Sequence, residues 1–301
     1  MTAGTLTGLA IGDALGMPFE TQGPWSDELQ AWQGGYGTSG YHGLGPGQWT
    51  DDTQMSLALG RSILANKFFD PQVAAKHYLQ WYQNGPRGIG KTTEQAMQKL
   101  ASGASWSDSG VLGAEGNGTA MRASPIGLHL RGNERLNAAA HWARIDAAIT
   151  HKSFEAYEGS AAVAVAVCYL VTGGRKDKLV EALTKVLKPT RVRFAIEDSW
   201  RLIQSGATIQ DVLRHHNWEI NGVGAHVVST VPAAVSFFLL TPDYVTAVTE
   251  AVTAGGDTDS TASVTGALAG SHYGYEGIPK DLIQGLERAD EIRELELALA
   301  K

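Results

Sequence analysis

Apolar residues recur three or four positions apart through most of the chain, which is the spacing that places them on one face of an α-helix. One stripe contains Met55, Leu59 and Ile63, and a second runs from Val73 to Trp81. The pattern predicts further helices near residues 92–102, 134–149, 154–172, 176–188, 208–215, 242–253, 259–272 and 279–299. No two strand-like runs are joined by an Asn-Gly or Asp-Gly turn, so we predict no hairpin. Helix therefore dominates the predicted structure.

The longest apolar run, Ala161 to Val171, fits a helix or a strand by periodicity, and its length and alanine content favour a helix. It is far shorter than the roughly 20 residues that cross a bilayer, so we expect no membrane partner. The segment from Met1 to Phe19 lacks a basic lead and carries Asp13 within an apolar stretch. These features argue against a signal peptide.

Glycine and proline concentrate in segments that stand directly before helical patterns, at residues 34–47, 85–90, 113–118 and 255–256. This arrangement places polar residues at helix N-termini, where backbone N–H groups and the helix dipole face outward. No segment has the composition of a linker. We therefore predict a single domain over residues 1–301.

Composition and charge limit the kinds of molecule that the protein is expected to bind. The formal net charge is −7 and no basic block is present, which argues against nucleic acid as the main partner because such binding neutralises phosphates. Cys168 is the single cysteine, so the chain has neither a disulfide framework nor a cysteine-based zinc motif. A reducing cytoplasm is the expected location.

Two segments combine glycine, acids and hydroxyl residues before a helical pattern. In the first, Thr50-Asp51-Asp52, helix capping is the alternative interpretation, but two adjacent carboxylates repel each other unless a cation lies between them. In the second, Asp257 and Asp259 flank Thr258 and precede Ser260. Residues two apart in a helix point about 200° away from each other, so we expect both acids to lie in the turn before the helix.

These ligands are hard oxygen donors, which favour Mg²⁺, Mn²⁺ or Ca²⁺ over zinc or copper. Four carboxylates could hold two divalent ions about 3.5 to 4 Å apart, the spacing of two-metal hydrolytic sites. Neither segment is followed by the glutamate that closes an EF-hand loop. We predict a binuclear site.

Two further segments and one histidine are candidates for the substrate. The segment from Gly8 to Glu20 contains Asp13, and packing at a helix end is its alternative interpretation. The segment Gly116-Asn117-Gly118-Thr119-Ala120-Met121-Arg122 is either a helix-initiating turn or a site that offers N–H groups and Arg122 to a diphosphate. His151 is either a hydrogen-bonded interior residue or a ligand contact.

Five segments in this order resemble the ADP-ribosylglycohydrolase family: GDALGMPFE, PGQWTDDTQMSLAL, GNGTAMRASP, ITHKS and GGDTDSTASVTGALAG. The resemblance runs from about residue 5 to about residue 273. It implies a compact all-α orthogonal helical bundle with a binuclear metal cleft. The expected cofactors are two divalent cations, Mg²⁺ or Mn²⁺.

The resemblance also implies roles for individual residues. The metal ligands would be Thr50, Asp51, Asp52, Asp257, Asp259 and Ser260. The catalytic carboxylate would be Glu20, with Asp51 or Asp52 as the second choice. The substrate contacts would be Asp13, Asn117, Gly118, Met121, Arg122 and His151. Some arginine-directed relatives carry an acid near the position of Gly88, where this chain has Pro86-Arg87-Gly88.

The implied reaction is metal-dependent hydrolysis of the glycosidic bond between ADP-ribose and a modified protein side chain or small molecule. Such cleavage passes through an oxocarbenium-like state, which a neighbouring carboxylate stabilises. Two alternatives remain open at this point: a two-metal phosphoesterase that cleaves a nucleotide diphosphate, and an ADP-ribose-binding relative without activity. Product analysis distinguishes them.

Overall fold

The computed structural model describes residues 3–301, so Met1 and Thr2 of the segment considered as a signal peptide lie outside the described residues. The fold is all-α, as predicted, and its helices bury one continuous hydrophobic cluster. The helices are α1 (Thr5–Gly16), α2 (Asp27–Ala31), α3 (Asp51–Asn66), α4 (Pro71–Gln83), α5 (Lys91–Ala101), α6 (Trp106–Ser109), α7 (Ser124–Leu130), α8 (Leu136–Ala148), α9 (Phe154–Leu170), α10 (Leu179–Val186), α11 (Arg191–Gln204), α12 (Ile209–His215), α13 (Trp218–Asn221), α14 (Val227–Leu240), α15 (Tyr244–Thr253), α16 (Thr258–Tyr273), α17 (Lys280–Gly285) and α18 (Ala289–Leu299).

The named strands are two short segments, β1 (Val111–Leu112) and β2 (His151–Lys152), which pair in parallel. Short 3₁₀ turns lie at Met17–Phe19, Asn117–Thr119, Asn133–Arg135, Lys176–Lys178 and Tyr275–Gly277. Between residues 3 and 301, no helix has the length and apolar character needed to cross a membrane.

The helical periodicity identified α3, α4, α5, α8, α9, α10, α12, α15 and α16, and the apolar run beginning at Ala161 is helical in α9. The prediction of one helix over 279–299 is wrong, because the segment forms two helices, α17 and α18, with a non-helical stretch between them. At the break, Glu287 N donates to the carbonyl oxygen of Gly47 at 2.9 Å, and Arg288 has a left-handed backbone with φ 56°. Glu287 N thus donates to a distant segment of the chain instead of to a carbonyl oxygen within the helix.

Three helices of ten or more residues, α1, α11 and α14, were not predicted. Helix α14 is apolar on nearly all sides, so it shows no stripe, and Pro232 stands inside it. Such a helix is recognised by burial on every face rather than by amphipathic spacing. In the structure its buried residues include Val231, Ala234 and Phe238.

Helices α1 and α16 lie antiparallel with their backbones in close contact. Glycines occur at every fourth position of α1 and its N-terminal cap: Gly4, Gly8, Gly12 and Gly16. A Cβ atom at Gly12 would lie 2.1 Å from the carbonyl oxygen of Ala262, and one at Gly8 would lie 2.4 Å from that of Gly266. Any side chain at these two positions would therefore force the helices apart.

The N-terminus of α1 is capped by a residue from the far end of the chain. Gly4, the N-cap residue, has no side chain with which to accept a hydrogen bond. Instead, the buried carboxylate of Glu296 in α18 accepts from Leu6 N at 2.6 Å and from the Thr7 hydroxyl at 2.9 Å. The contact therefore satisfies one backbone donor that the helix start leaves open, Leu6 N, together with the Thr7 hydroxyl.

Behind the loop at residues 116–118 lies a completely buried ion pair between Arg122 and Asp146. Arg122 Nε donates to an Asp146 carboxylate oxygen at 2.9 Å, and the Tyr78 hydroxyl donates to the other oxygen at 2.8 Å. Arg122 also donates to the carbonyl oxygen of Gly118 and to the hydroxyl of Thr150, both at 2.9 Å. This position corrects the expectation that Arg122 contacts a diphosphate, because burial and internal hydrogen bonds commit the guanidinium to holding the loop.

Replacing Arg122 by methionine should lower the free energy of unfolding by about 3–5 kcal/mol, because Asp146 would remain as a buried charge without its partner. Urea denaturation measures this change. The double variant Arg122→Met, Asp146→Leu should be less destabilised than the single variant. Arg175→Met, which removes an exposed ion pair with Asp177, serves as the control and should have little effect. Wild-type stability of Arg122→Met would contradict the structural role.

Candidate metal and substrate site

A cavity of about 290 Å³ lies where the N-termini of α3, α5 and α16 meet. Its lining includes most of the residues singled out from the sequence. These are Glu20, Asp51, Asp52, Asn117, Gly118, Met121, His151, Asp257, Asp259 and Ser260. Segments that are up to about 240 residues apart in the chain thus converge on one cavity, as the motifs predicted.

Asp13 of α1 caps α3, and this frees the acids of α3 for the cavity. One Asp13 oxygen accepts from the Thr50 hydroxyl at 2.8 Å, and the other accepts from Thr53 N at 3.0 Å and from the Thr53 hydroxyl at 2.6 Å. Thr50 N also donates to Asp13 at 3.0 Å. Because Asp13 does this capping, the alternative that Asp51 and Asp52 are mere caps loses its basis.

Asp13 and Thr50 are themselves fully buried and do not line the cavity. The expectation that Asp13 contacts substrate is therefore corrected, since its carboxylate is occupied by donors from α3. Its effect on the cavity is indirect. It fixes the position of the first turn of α3.

The second acidic segment lies partly in the turn and partly in the helix. Asp257 is the N-cap residue of α16, as predicted, whereas Asp259 is the second residue of the helix rather than part of the turn. Asp257 N donates to the carbonyl oxygen of Val223 at 2.7 Å, and the Thr258 hydroxyl donates to that of Gly16 at 2.7 Å. These bonds hold both carboxylates against the same cavity.

The electrostatics of the cavity favour a cation. Burial raises the pKa of Asp51, Asp52 and Asp259 well above its usual range, and repulsion among the neighbouring carboxylates raises it further. Ser260 donates to one oxygen of Asp52 at 3.3 Å, while the other, Oδ1, is buried and has no hydrogen-bond partner in the described part of the chain. An unpartnered buried carboxylate oxygen is costly. The donor set therefore fits hard divalent cations.

Asn117, Gly118 and His151 form another part of the cavity wall. Asn117 Nδ2 donates to Asp257 at 2.6 Å and to the Thr230 hydroxyl at 2.9 Å, which ties this wall to the acids. A Cβ atom at Gly118 would lie 3.2 Å from His151 Cε1, so glycine leaves room for the ring. Burial, together with the charge of Arg122, lowers the pKa of His151 to about 3, so its ring is neutral at physiological pH.

Glu20 stands at the cavity mouth and has a partner that the sequence did not indicate. It follows the 3₁₀ turn Met17–Phe19, and the next residue, Thr21, has φ 71° and donates from its N–H to the carbonyl oxygen of Gly256 at 2.8 Å. The Glu20 carboxylate contacts His42 Nε2. His42 lies in a glycine-rich loop without helical periodicity. A single histidine in such a loop was the one sequence feature that could have pointed to it.

Other lining residues were also missed. Lys91, Thr92 and Thr93 begin α5 on the same cavity, and α5 has no side-chain cap on its N-terminus. Its N–H groups and Lys91 supply positive character to the cavity. The glycine-rich lead before a predicted helix was the signal that could have found them.

The loop at residues 86–88 directs the side chain of Arg87 away from the cavity. Arg87 pairs with Glu287 and lies 5.3 Å from the centre of the Trp49 ring, while Gly88 lines the cavity.

Comparison with known proteins agrees with this architecture. The family model of ADP-ribosylglycohydrolase matches residues 2–301. The chain is 30% identical to the ADP-ribosylarginine hydrolase Tri1 of Serratia proteamaculans, with 97% of this chain and 76% of Tri1 covered. It is 28% identical to the ADP-ribosyl-[dinitrogen reductase] glycohydrolase of Rhodospirillum rubrum, with 94% and 89% covered.

A solved structure described as an ADP-ribosylglycohydrolase-related protein complex has the same fold. It superposes with a TM-score of 0.79 at 30% identity, and the match covers 99% of this chain and 95% of that one. The family match over nearly the whole chain and the shared fold lead to one conclusion: the protein is a member of the ADP-ribosylglycohydrolase family.

Proposed function

We propose that the protein hydrolyses the glycosidic bond between ADP-ribose and a modified acceptor, with two divalent cations, Mg²⁺ or Mn²⁺, as cofactors. One observation carries the metal requirement. Three buried carboxylates, Asp51, Asp52 and Asp259, and the half-buried carboxylate of Asp257 come from the starts of α3 and α16 and face one cavity. Asp52 Oδ1 has no hydrogen-bond partner among residues 3–301. The names of the relatives support the reaction.

The residues that would hold the cations are Asp51, Asp52, Asp257 and Asp259, with the hydroxyl of Ser260. Thr50, also expected as a ligand, lies outside the lining of the cavity, and its hydroxyl donates to Asp13. When bound, such cations stabilise negative charge on substrate oxygens and make a water molecule more acidic. Asp13 and Asn117 position these ligands, because each is hydrogen-bonded to a member of the set or to its helix.

The remaining cavity residues suit the two ends of the substrate. Lys91 and the uncapped start of α5 favour the negative charge of a diphosphate. Neutral His151 and Asn117 offer hydrogen bonds to ribose hydroxyls. Glu20, at the mouth, is the carboxylate that stabilises the oxocarbenium-like state and exchanges a proton with water.

The acceptor is an ADP-ribosylated protein side chain or small molecule. Between residues 86 and 90 the cavity presents Gly88 and Gly90 and no acid, so this loop offers no carboxylate to a guanidinium group. Cleavage of a diphosphate by the same acids is the second candidate, because paired metals suit in-line displacement at phosphorus.

To test the reaction, the protein is incubated with Mn²⁺ or Mg²⁺ and peptides ADP-ribosylated on arginine or on serine. Free ADP-ribose and unmodified peptide should appear, and EDTA should stop their release. Mass spectrometry identifies the products. AMP together with a ribose-phosphate peptide would instead establish diphosphate cleavage, and binding of ADP-ribose without any product would establish the inactive alternative.

Replacing Asp51 and Asp259 by asparagine should abolish Mn²⁺ binding and activity but should not lower the stability of the metal-free protein. The physical reason is that both substitutions remove buried charges that repel their neighbours. Calorimetry with Mn²⁺ and thermal unfolding in EDTA measure the two effects. Asp27→Asn with Asp290→Asn, at exposed helix starts, is the matched control. Equal Mn²⁺ binding by both double variants would refute the metal assignment.

Glu20→Gln should reduce kcat by about 10² to 10⁴, because glutamine keeps the size of the side chain but cannot transfer a proton. Affinity for ADP-ribose should change only slightly. Initial rates and calorimetric titration separate the two quantities. Glu294→Gln, an exposed substitution of the same kind, should behave as wild type. Near wild-type turnover by Glu20→Gln would move the catalytic role to Asp51 or Asp52.

A further inference from the structure

We propose that His42 is a positioning residue, whose Nε2–H group donates to the Glu20 carboxylate and holds it over the cavity. This inference rests on the catalytic role of Glu20 in the proposed function. It adds a residue outside the acidic segments, from a loop that carries none of the metal ligands.

His42 is the hydrogen-bond partner of the Glu20 carboxylate. Among the residues from 3 to 301, the structure records no other hydrogen bond to the Glu20 carboxylate. The His42 side chain is 7% exposed and that of Glu20 is 22% exposed, so the imidazole lies on the protein side of the carboxylate. A carboxylate oxygen accepts, which assigns the donated proton to Nε2.

Glu20 needs such a contact because its neighbours repel it. The charge of Glu20 acts on Asp51, Asp257 and Asp259, which all line the same cavity. A glutamate at a cavity mouth has many rotamers, and repulsion from these carboxylates favours those that point to solvent. The hydrogen bond from His42 selects a rotamer that stays at the cavity.

The surroundings of His42 fix its ring. Ser39 Oγ accepts from His42 N at 3.2 Å, and residues Ser39 and Leu44 form an antiparallel bridge that closes the loop. The ring of Tyr41 meets the imidazole edge-on at 4.7 Å between centres. These contacts hold the loop and the ring in place together.

Gly88 completes the pocket for the imidazole. A Cβ atom at Gly88 would lie 3.1 Å from His42 Cε1, and Gly88 has φ 73°. The absence of a side chain at this position therefore makes room for His42. The position where some relatives carry an acid is used here to seat the residue that orients Glu20.

His42 also lies near Asp259, a proposed metal ligand, so binding of a cation is an alternative role for its imidazole. The possible ligand atoms of Glu20, His42 and Asp259 all lie within 4.8 Å of one another. If His42 were a cation ligand, its loss would weaken Mn²⁺ binding. If it positions Glu20, Mn²⁺ binding stays and turnover falls.

The test compares His42→Phe, which keeps a ring against Gly88, with His42→Gln, whose amide can donate from a position near that of Nε2. On whichever ADP-ribosylated peptide the wild type cleaves, His42→Phe should lower kcat by about 10- to 100-fold, the effect of misplacing a catalytic group by about 1 Å. KM, ADP-ribose affinity and Mn²⁺ binding should stay close to wild type. His42→Gln should recover most of kcat.

Two further comparisons make the result specific. In a Glu20→Gln background, His42→Phe should have little additional effect, since residues that act through one another are not additive. His141→Phe, at an exposed histidine for which the structure of residues 3–301 records no hydrogen bond or ion pair, should match wild type.

Unchanged kcat in His42→Phe, additive losses with Glu20→Gln, equal losses in the Phe and Gln variants, or loss of Mn²⁺ binding would each overturn the positioning role. These outcomes leave the proposed function intact. Failure of the wild type to release ADP-ribose from the arginine and serine peptides would exclude these two linkages. Failure on ADP-ribosylated small molecules as well would overturn the proposed function itself, and the positioning role with it.

Discussion

The close contact between α1 and α16 is the constraint on which the cavity depends. Glycines at Gly8 and Gly12 bring the two backbones together, and the Thr258 hydroxyl locks the end of the pair at Gly16. Asp13 therefore reaches the start of α3 from one helix while Asp257 begins the other. Larger residues at the contact would separate the two acidic segments, and at Gly16 a Cβ atom would lie 2.6 Å from Cα of Asp259 itself.

The cavity concentrates like charges that the protein alone does not neutralise. The N-termini of α3 and α16 both face the acids, and their dipoles offset part of the repulsion. The raised pKa of Asp52 and its unpartnered oxygen show that the offset is incomplete. The protein thus sacrifices some stability to hold these carboxylates together in one cavity, as expected where function and stability compete.

Motifs with local chemistry could be predicted from the sequence, and contacts between distant segments could not. Asp51 and Asp259 were identified because closely spaced acids at a helix start repel each other unless a cation binds them, and the structure places both in one cavity. Arg122 was assigned to the substrate because an arginine after a glycine turn resembles an anion site, but its partner Asp146 lies 24 residues away. His42 was missed for the same reason, because its proposed role depends on a contact with Glu20, which lies in another segment. The four-residue spacing of glycine in α1 was a usable signal for close helix packing that the apolar periodicity does not contain.

The cap on α1 has a consequence for the order of events during synthesis. Leu6 and Thr7 donate to Glu296, which is translated about 290 residues later. While the chain is still emerging from the ribosome, the first helix has neither this cap nor its partner α16, so its buried face remains open to solvent or chaperones. Helix α1 is therefore among the last of the helices described here to reach its final packing, and the cavity cannot assemble before α16 has been translated.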